Sequence, residues 1–324
     1  MTGYFLGVDI GGSKSHALIA DESGQAVGFG QGGPGNYEVV DWDGLRETLH
    51  VIVAEAQATA GISPGQIAGA GFGVAGFDWP GEEWPTRQAI ESLEIGAPYG
   101  LVNDAVIALL AGARDGWGVS VVAGTSNNCR GRDRQGREGR VTGCGPPFGE
   151  FGGAGEMVAR AVQMISLAWA KRGPSTELTG AFLELTGAVD AADLLEGLAL
   201  ARYQLSPAAA PTIFRLAAQG DAVAQEIVQW AGHELGSLAV GVIHQLSFED
   251  LEFPVILAGS LYDGGPMLVG AMAEAIHQTA PRANLVRLTA PPVVGGVVLG
   301  MEQAGVDAPP LLQVLAESTA ELVG

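Results

Sequence analysis

The sequence predicts a mixed α/β protein of two domains, and three observations lead to this prediction. Three consecutive strands are expected at 4–10, 15–20 and 26–31, and helices and strands alternate after them. The order of strand, glycine turn, strand and polar turn in GVDIGGSKSHALIADESG returns in SVVAGTSNNCRGRDRQG. A chain of 324 residues that is 47% hydrophobic is also long enough to form two cores.

The remaining elements follow from the spacing of apolar residues. A helix is expected over 41–60, because Leu45, Leu49, Ile52, Val53 and Ala56 fall on one face. A strand at 68–74, a helix at 85–93, a strand at 100–102 and a helix at 104–113 complete the first set. The second set has strands at 119–122, 129–132, 254–258 and 284–288, with helices at 157–171, 191–203, 207–218 and 222–245. The predicted domain boundary lies within 113–118.

Composition excludes several classes of partner and location. The formal net charge of −20 argues against binding to nucleic acid or to an anionic membrane surface. Apolar stretches are too short for a spanning helix, and residues 1–10 lack the basic segment of a signal peptide, so we expect a cytoplasmic protein. The two cysteines, Cys129 and Cys144, are too few for a disulfide scaffold and are expected to be reduced.

The Gly-Gly turn near the start of the chain poses a question of phosphate binding. Ser13 separates Gly12 from Lys14, so the spacing of a P-loop fails, and a hairpin is expected instead. Two glycines at the bend let backbone N–H groups approach an anion. Taken alone, this segment is better explained as an ordinary N-terminal hairpin, but the second hairpin in the repeat favours phosphate binding at both turns.

Five motifs of this sequence resemble motifs of one superfamily, and they occur in the order expected for it. VDIGGSKS, LVNDA, VAGTSNNCRG and VILAGSLYDGG resemble the phosphate-1, catalytic, phosphate-2 and adenosine motifs of the sugar kinase, Hsp70 and actin ATPases. GCGPPFGEFGG resembles a stretch of the N-acetylglucosamine kinase branch, which is grouped with the BadF/BadG/BcrA/BcrD ATPases. The resemblance covers essentially the whole chain.

The resemblance implies a two-domain actin-like ATPase (ribonuclease H-like) fold, in which each domain is a mixed sheet flanked by helices and the two domains enclose a cleft. The N-terminal domain would span 1–115 and the C-terminal domain 116–305. A last helix at about 306–324 would complete the N-terminal domain.

The same motifs imply where ATP and Mg²⁺ would bind. The resemblance assigns the metal to Asp9, for which the alternative is a turn-capping aspartate. The residues implied to hold the nucleotide are Gly11, Gly12, Ser13, Lys14, Gly124, Thr125, Ser126, Gly259 and Ser260. Lys14 has an equally good alternative as a solvated hairpin lysine.

Asp104 is the candidate general base. It follows the strand 100–102 and opens a helix, a position that also suits an N-cap. The two roles are compatible, because the helix dipole would keep the carboxylate ionised and able to accept a hydroxyl proton.

Seven residues are implied to contact the sugar. They are Asn36, Gly76, Asn103, Gly143, Cys144, Gly145 and Glu150. Asn36 matches the asparagine that recognises the acyl group in the family, although Gly-Pro-Gly-Asn by itself is a turn. This chain has Glu150-Phe151 where the family carries Asp-Glu, a change that could redirect the substrate.

The predicted activity is ATP-dependent phosphorylation of an amino sugar, N-acetylglucosamine to its 6-phosphate, by a homodimer. Another sugar, such as glucosamine or N-acetylmuramic acid, is one alternative. An iron-sulfur ATPase that activates a dehydratase is a second, which the position of Cys129 within a strand disfavours. A non-catalytic sensor on the same fold is a third, and the presence of Asp9 and Asp104 speaks against it.

Overall fold

Two five-stranded sheets form the frame of the protein. The structure is a computed structural model, and it describes residues 3–323. The strands are β1 (Tyr4–Ile10), β2 (Ser15–Ala20), β3 (Ala26–Gly32), β4 (Ile67–Val74), β5 (Tyr99–Asn103), β6 (Gly118–Ala123), β7 (Asn127–Arg132), β8 (Glu138–Arg140), β9 (Phe253–Ala258) and β10 (Ala283–Arg287). The helices are α1 (Tyr37–Ala60), α2 (Glu83–Glu91), α3 (Asp104–Gly112), α4 (Ala154–Trp169), α5 (Leu178–Thr186), α6 (Ala191–Ala199), α7 (Ala210–Ala218), α8 (Ala222–Leu246), α9 (Pro266–Thr279), α10 (Val293–Gln303) and α11 (Leu312–Val323). Met1, Thr2 and Gly324 lie outside the described residues. Met1 and Thr2 fall in the predicted N-terminal domain and in the segment 1–10 compared with signal peptides, and Gly324 falls in the predicted final helix.

The two sheets repeat one topology, as the sequence repeat predicts. Their strand orders are β3-β2-β1-β4-β5 and, read from the equivalent edge, β8-β7-β6-β9-β10. In each sheet the first two strands form an antiparallel hairpin, and the first strand also pairs in parallel with the fourth. We call the part built on β1–β5 the N-terminal lobe and the part built on β6–β10 the C-terminal lobe.

The helices cover the faces of both sheets. Helix α1 packs on β2 and β3, whereas α8 packs on β6, β7 and β8. Helix α10 returns to the N-terminal lobe and packs against β1, β4 and α3, and α11 packs against β3. The approach of α10 is close: a Cβ built on Gly296 would lie 2.8 Å from the backbone nitrogen of Val8. The bounds of the two domains stay a prediction.

Some elements differ from those expected. Helix α1 begins at Tyr37 rather than at residue 41, because Asn36 accepts a hydrogen bond from the Glu38 amide and caps it. Asp41, with φ 57° and ψ −177°, interrupts this helix and accepts hydrogen bonds from the amides of Asp43 and Gly44. Sequence periodicity did not predict β8, α5, α9 or α10, and helix α6 ends four residues before the expected 203.

No helix within residues 3–323 combines the length and apolar character that crossing a membrane requires.

Candidate active site

The carboxyl ends of three neighbouring strands bring the two candidate aspartates together. Ile10 of β1 is in register with Val74 of β4, which is in register with Asn103 of β5. Asp9 therefore lies at the end of β1, and Asp104 directly follows β5 at the same edge of the sheet. Ligands of open α/β sheets bind at this edge.

Asp104 is the first residue of α3 and not its cap. The cap is Asn103, whose side-chain oxygen accepts the Ala105 amide at 3.0 Å, so the expectation that Asp104 occupies the N-cap position was wrong by one residue. Burial, followed by the negative charge of Asp78, raises the pKa of Asp104 to about 6. Its carboxylate is thus ionised at neutral pH and basic enough to accept a proton.

Asp9 carries a second perturbed carboxyl group. Burial and the charge of Asp104 raise the pKa of Asp9 to about 7, and Lys14 opposes the rise. His16 Nδ1 lies 4.0 Å from Asp9 Oδ2, and burial lowers the pKa of His16, which leaves this histidine neutral near pH 7. The side chain of Lys14 is exposed, and its positive charge is what lowers the pKa of Asp9.

This donor set fits Mg²⁺ bound together with phosphates. Within residues 3–323, no group of three or more His, Cys, Asp or Glu side chains could enclose a metal ion. Mg²⁺ commonly binds through one or two carboxylates, with substrate phosphates and water as its other ligands. A cation at Asp9 would stabilise the ionised form of a carboxylate that burial disfavours.

Both glycine turns present unpaired backbone N–H groups. In the described part of the chain, the amides of Gly12, Ser13, Thr125 and Ser126 donate to no protein acceptor. The first turn requires glycine, since a Cβ on Gly11 would lie 2.6 Å from the Lys14 carbonyl oxygen. The second turn is tied to α4, because the Ala154 amide donates to the Gly124 carbonyl at 2.9 Å and the Gly155 amide to that of Thr125 at 3.1 Å. Free amides of this kind bind anions.

A cavity of about 670 Å³ opens beside the second turn. It brings together the predicted residues Gly124, Thr125 and Ser260. Gly259, at φ 101°, abuts the backbone of Ala123 so closely that a Cβ would clash there. The cavity's other walls were not predicted from the sequence; most are apolar side chains, and they are Ala154, Pro207, Ala208, Ala210, Pro211, Phe214, Arg215, Ala218, Leu261, Asp263 and Gly264.

Asn36 and Gly76 lie side by side in the N-terminal lobe. A Cβ on Gly76, which has φ 82°, would lie 2.6 Å from Asn36 Oδ1. The Gly35 amide donates to the Gly11 carbonyl at 3.0 Å and so ties the loop that carries Asn36 to the first turn. The side chain of Asn36 is partly used within the loop, where it caps α1 and donates to Glu38 at 3.2 Å.

Glu150 organises the loop that contains Gly143, Cys144 and Gly145. Its two carboxylate oxygens accept the Thr142 amide at 2.6 Å and the Gly145 amide at 3.2 Å. Phe151, where relatives with the expected motif carry an acid, packs against Trp230 of α8 with 5.9 Å between ring centroids. Cys144 is exposed and Cys129 is fully buried, and both thiols are free.

Asn128 and Asp78 form hydrogen bonds next to Asp104, and sequence reasoning did not select either of them as a site residue. The Asn128 amide on β7 donates to Asn103 Oδ1 at 3.3 Å and to Asp78 Oδ1 at 3.4 Å. These bonds join the strand after the second glycine turn to the residue that precedes Asp104. The position of Asn128 inside VAGTSNNCRG was the available signal.

Two known kinases are similar to this chain over most of its length. The chain is 24% identical over 302 residues to the N-acetylmuramic acid/N-acetylglucosamine kinase of Clostridium acetobutylicum, covering 93% of this chain and 99% of the relative. It is 25% identical over 317 residues to the N-acetyl-D-glucosamine kinase of Dictyostelium discoideum, covering 92% and 97%.

A solved structure shows the same fold. The crystal structure of a candidate N-acetylglucosamine kinase from Chromobacterium violaceum superposes with a TM-score of 0.63 at 23% identity, over 92% of this chain and 98% of that one. The predicted two-domain actin-like ATPase fold is thereby confirmed. Residues 6–300 also match the model of one protein family. The chain belongs to the BadF/BadG/BcrA/BcrD ATPase family.

Proposed function

We propose that this protein is an ATP-dependent sugar kinase that converts N-acetylglucosamine to its 6-phosphate. One observation carries the proposal: the Asn128–Asn103 hydrogen bond joins the strand after one phosphate turn to the cap of the helix that begins with Asp104. This bond supports the proposal because it links the candidate base to the strand that follows a turn with free backbone amides. The two curated relatives, whose names describe kinases of this sugar, support the choice of substrate.

Asp104 would accept the proton of the sugar's 6-hydroxyl as the hydroxyl oxygen attacks the terminal phosphorus of ATP. The bond from that phosphorus to the oxygen that bridges it to the β-phosphate would break, and ADP would leave with the electron pair of that bond. General-base assistance of this kind is worth about 10²- to 10⁴-fold in rate. The free amides of Gly12, Ser13, Thr125 and Ser126 would donate to phosphate oxygens, and Lys14 would offset negative charge on the transferred group. Asp9 would hold Mg²⁺, which supplies charge neutralisation to the phosphates.

The cavity beside α7 would take the adenosine. Its apolar walls suit an aromatic base, and Ser260 and Thr125 supply polar groups at one side. The sugar would bind among Asn36, Gly76, Asn103, Glu150 and the loop of Gly143 to Gly145. Because the oxygens of Glu150 already accept two backbone amides, we assign it the role of shaping that loop.

N-Acetylmuramic acid and glucosamine are the alternative substrates. The Clostridium relative's name includes N-acetylmuramic acid, which favours testing this sugar first. The iron-sulfur activator is disfavoured, because Cys129 is fully buried on β7 and burial raises the pKa of its thiol. A thiol held in this way is a poor ligand for a shared cluster.

The decisive measurement is MgATP-dependent ADP release with N-acetylglucosamine, N-acetylmuramic acid, glucosamine, N-acetylmannosamine, glucose or no sugar. We expect one N-acetylated sugar to stimulate turnover, phosphorus NMR to place the phosphate on O6, and Asp104→Asn to lose about 10²- to 10⁴-fold. Asp115→Asn, an exposed aspartate beyond the other end of α3, is the matched control and should retain wild-type turnover. ADP release that no sugar stimulates would contradict the proposal.

A further inference from the structure

A buried ion pair crosses between the two lobes. Arg130 of β7, 2% exposed, donates from Nη2 to Oδ1 of Asp78, 9% exposed, in the segment between β4 and α2. The Nε of Arg130 is also buried and finds no acceptor within residues 3–323. Neither residue is a proposed base, metal ligand or phosphate donor, but both act on Asp104 through their charges: Asp78 raises its pKa and Arg130 lowers it.

The carboxylate of Asp78 connects this pair to the catalytic edge. Asn103 donates from Nδ2 to Asp78 Oδ1 at 3.2 Å and to the Phe77 carbonyl at 3.3 Å. Its own oxygen caps the helix that begins with Asp104. A chain of direct bonds therefore runs from Arg130 through Asp78 to the residue that fixes the start of α3.

A second contact between the lobes lies next to the first. Arg140 of β8 is in register with Arg130 of β7, and its guanidinium lies 4.7 Å from the ring centroid of Trp79. Two adjacent arginines of the C-terminal lobe thus hold two consecutive residues of the N-terminal lobe. Gly143 of the C-terminal lobe also lies against Asp78, since a Cβ on Gly143 would lie 2.7 Å from Asp78 Oδ1.

We propose that Asp78 and Arg130 form a latch that holds the cleft closed and orients Asn103, and through it Asp104, toward the acceptor hydroxyl. They are positioning residues, and the kinetic part of this inference rests on the proposed kinase function. Removing one partner of a buried ion pair leaves an uncompensated buried charge, so the lobes would separate to hydrate it. Lysine at position 130 would keep the positive charge but lacks Nη2, the guanidinium nitrogen that donates to Asp78.

The kinetic test compares Arg130→Lys and Asp78→Asn with Arg132→Lys. Arg132 is the matched control, because it lies two residues along the same strand and also binds a carboxylate of the N-terminal lobe, Glu302 of α10, at 3.1 Å. Unlike Arg130, it is partly exposed and makes no contact with the Asp78–Asn103 chain. We expect kcat to fall about 10- to 100-fold in the two latch variants with an unchanged KM for ATP, and Arg132→Lys to match the wild type.

Small-angle scattering tests the latch without reference to activity. The latch variants, once shown to be folded by thermal melting, should have a larger radius of gyration than the wild type and Arg132→Lys. In the kinetic test, the double variant Asp78→Asn/Arg130→Gln leaves no buried charge behind, so it should lose no more kcat than Asp78→Asn.

The outcomes separate the two proposals. Folded latch variants with wild-type kcat and wild-type radius would overturn the latch, as would equal losses in Arg132→Lys. A wild-type protein that no sugar stimulates would refute the kinase function, and the scattering comparison alone would then decide whether the latch exists.

Discussion

Asp104 has an electrostatic environment that sets the pH range of the proposed reaction. Burial and the charge of Asp78 raise its pKa from the ordinary value of 3.8 to about 6. A raised pKa makes the carboxylate a stronger base, but it also protonates the group sooner as the pH falls. The same surroundings that make Asp104 useful therefore limit it to neutral and alkaline pH.

The expected pH profile follows from this pKa. Because a base must be ionised to act, kcat/KM for the sugar should be constant above about pH 7 and fall about tenfold per unit below about pH 6. Initial rates between pH 5 and 8.5 at fixed ionic strength would measure it. Asp104→Asn should remove this limb from the residual rate. A limb that persists in Asp104→Asn but moves to lower pH would instead assign the titration to Asp9, because the variant removes the Asp104 charge that helps to raise the pKa of Asp9.

At the scale of elements, hairpins and motif order were predictable, but the walls of the cavity were not. The turns at Gly11-Gly12 and Gly124-Thr125 were found because glycine spacing and strand alternation are local signals. Phe214 and Arg215 on α7 line the same cavity as Ser260, although α8 and β9 lie between them in the sequence. No local sequence pattern reports a contact between residues so far apart in the chain. Asn128 and Asp78 were missed for the same reason, since their bonds cross from one sheet to the other.

The predicted ends of helices were less accurate than the predicted helices themselves, and the cause is local. Asp41 at φ 57° divides α1, and the first four residues of that helix contain Glu38 and two valines with no clear apolar face. The cap at Asn36 was readable only as a turn residue in Gly-Pro-Gly-Asn. At α3 the two adjacent polar residues, Asn103 and Asp104, were equally good caps by composition, and the geometry selects the first.

Helix α7 provides a test of the nucleotide cavity. Ala208, exposed on the turn before α7, lines the cavity, so Ala208→Phe would place a ring where the adenosine is proposed to bind. We expect KM for ATP to rise about tenfold or more, with KM for the sugar and kcat at saturating ATP nearly unchanged. Steady-state kinetics with each substrate varied in turn would measure this. Ala54→Phe, at an exposed alanine of α1 outside the cavity, should behave as the wild type. An unchanged KM for ATP in Ala208→Phe would move the adenosine elsewhere.

At the scale of the whole molecule, both lobes have the same sheet topology, and the proposed phosphoryl transfer would occur where the two lobes meet. Each sheet contributes a hairpin with free turn amides, whereas Asp104 and Asp9 come only from the N-terminal lobe and the large cavity only from the C-terminal lobe. Neither lobe alone carries all the residues of the proposed site. Contacts between the lobes, such as Asn128 with Asn103, are therefore expected to contribute to function as well as to stability.

The surface of the C-terminal lobe leads to a last prediction, that the protein is a homodimer. Several of its large apolar side chains are exposed on the segment from α4 to α6, where Trp169 is 55%, Leu185 52%, Val189 84% and Leu200 65% exposed. Exposed apolar side chains are frequent at subunit interfaces, and we expect a second copy of the chain to cover these four.

Light scattering coupled to size exclusion should therefore give about twice the chain mass of 33.1 kDa. Val189→Glu would bury a charge in the proposed interface and should shift the mass toward one chain. Val51→Glu is the matched control, because Val51 is 53% exposed on α1 in the other lobe and should leave the dimer intact. A wild-type monomer, or a dimer that only Val51→Glu dissociates, would contradict this assignment, because either result would show that the α4–α6 surface faces solvent in solution.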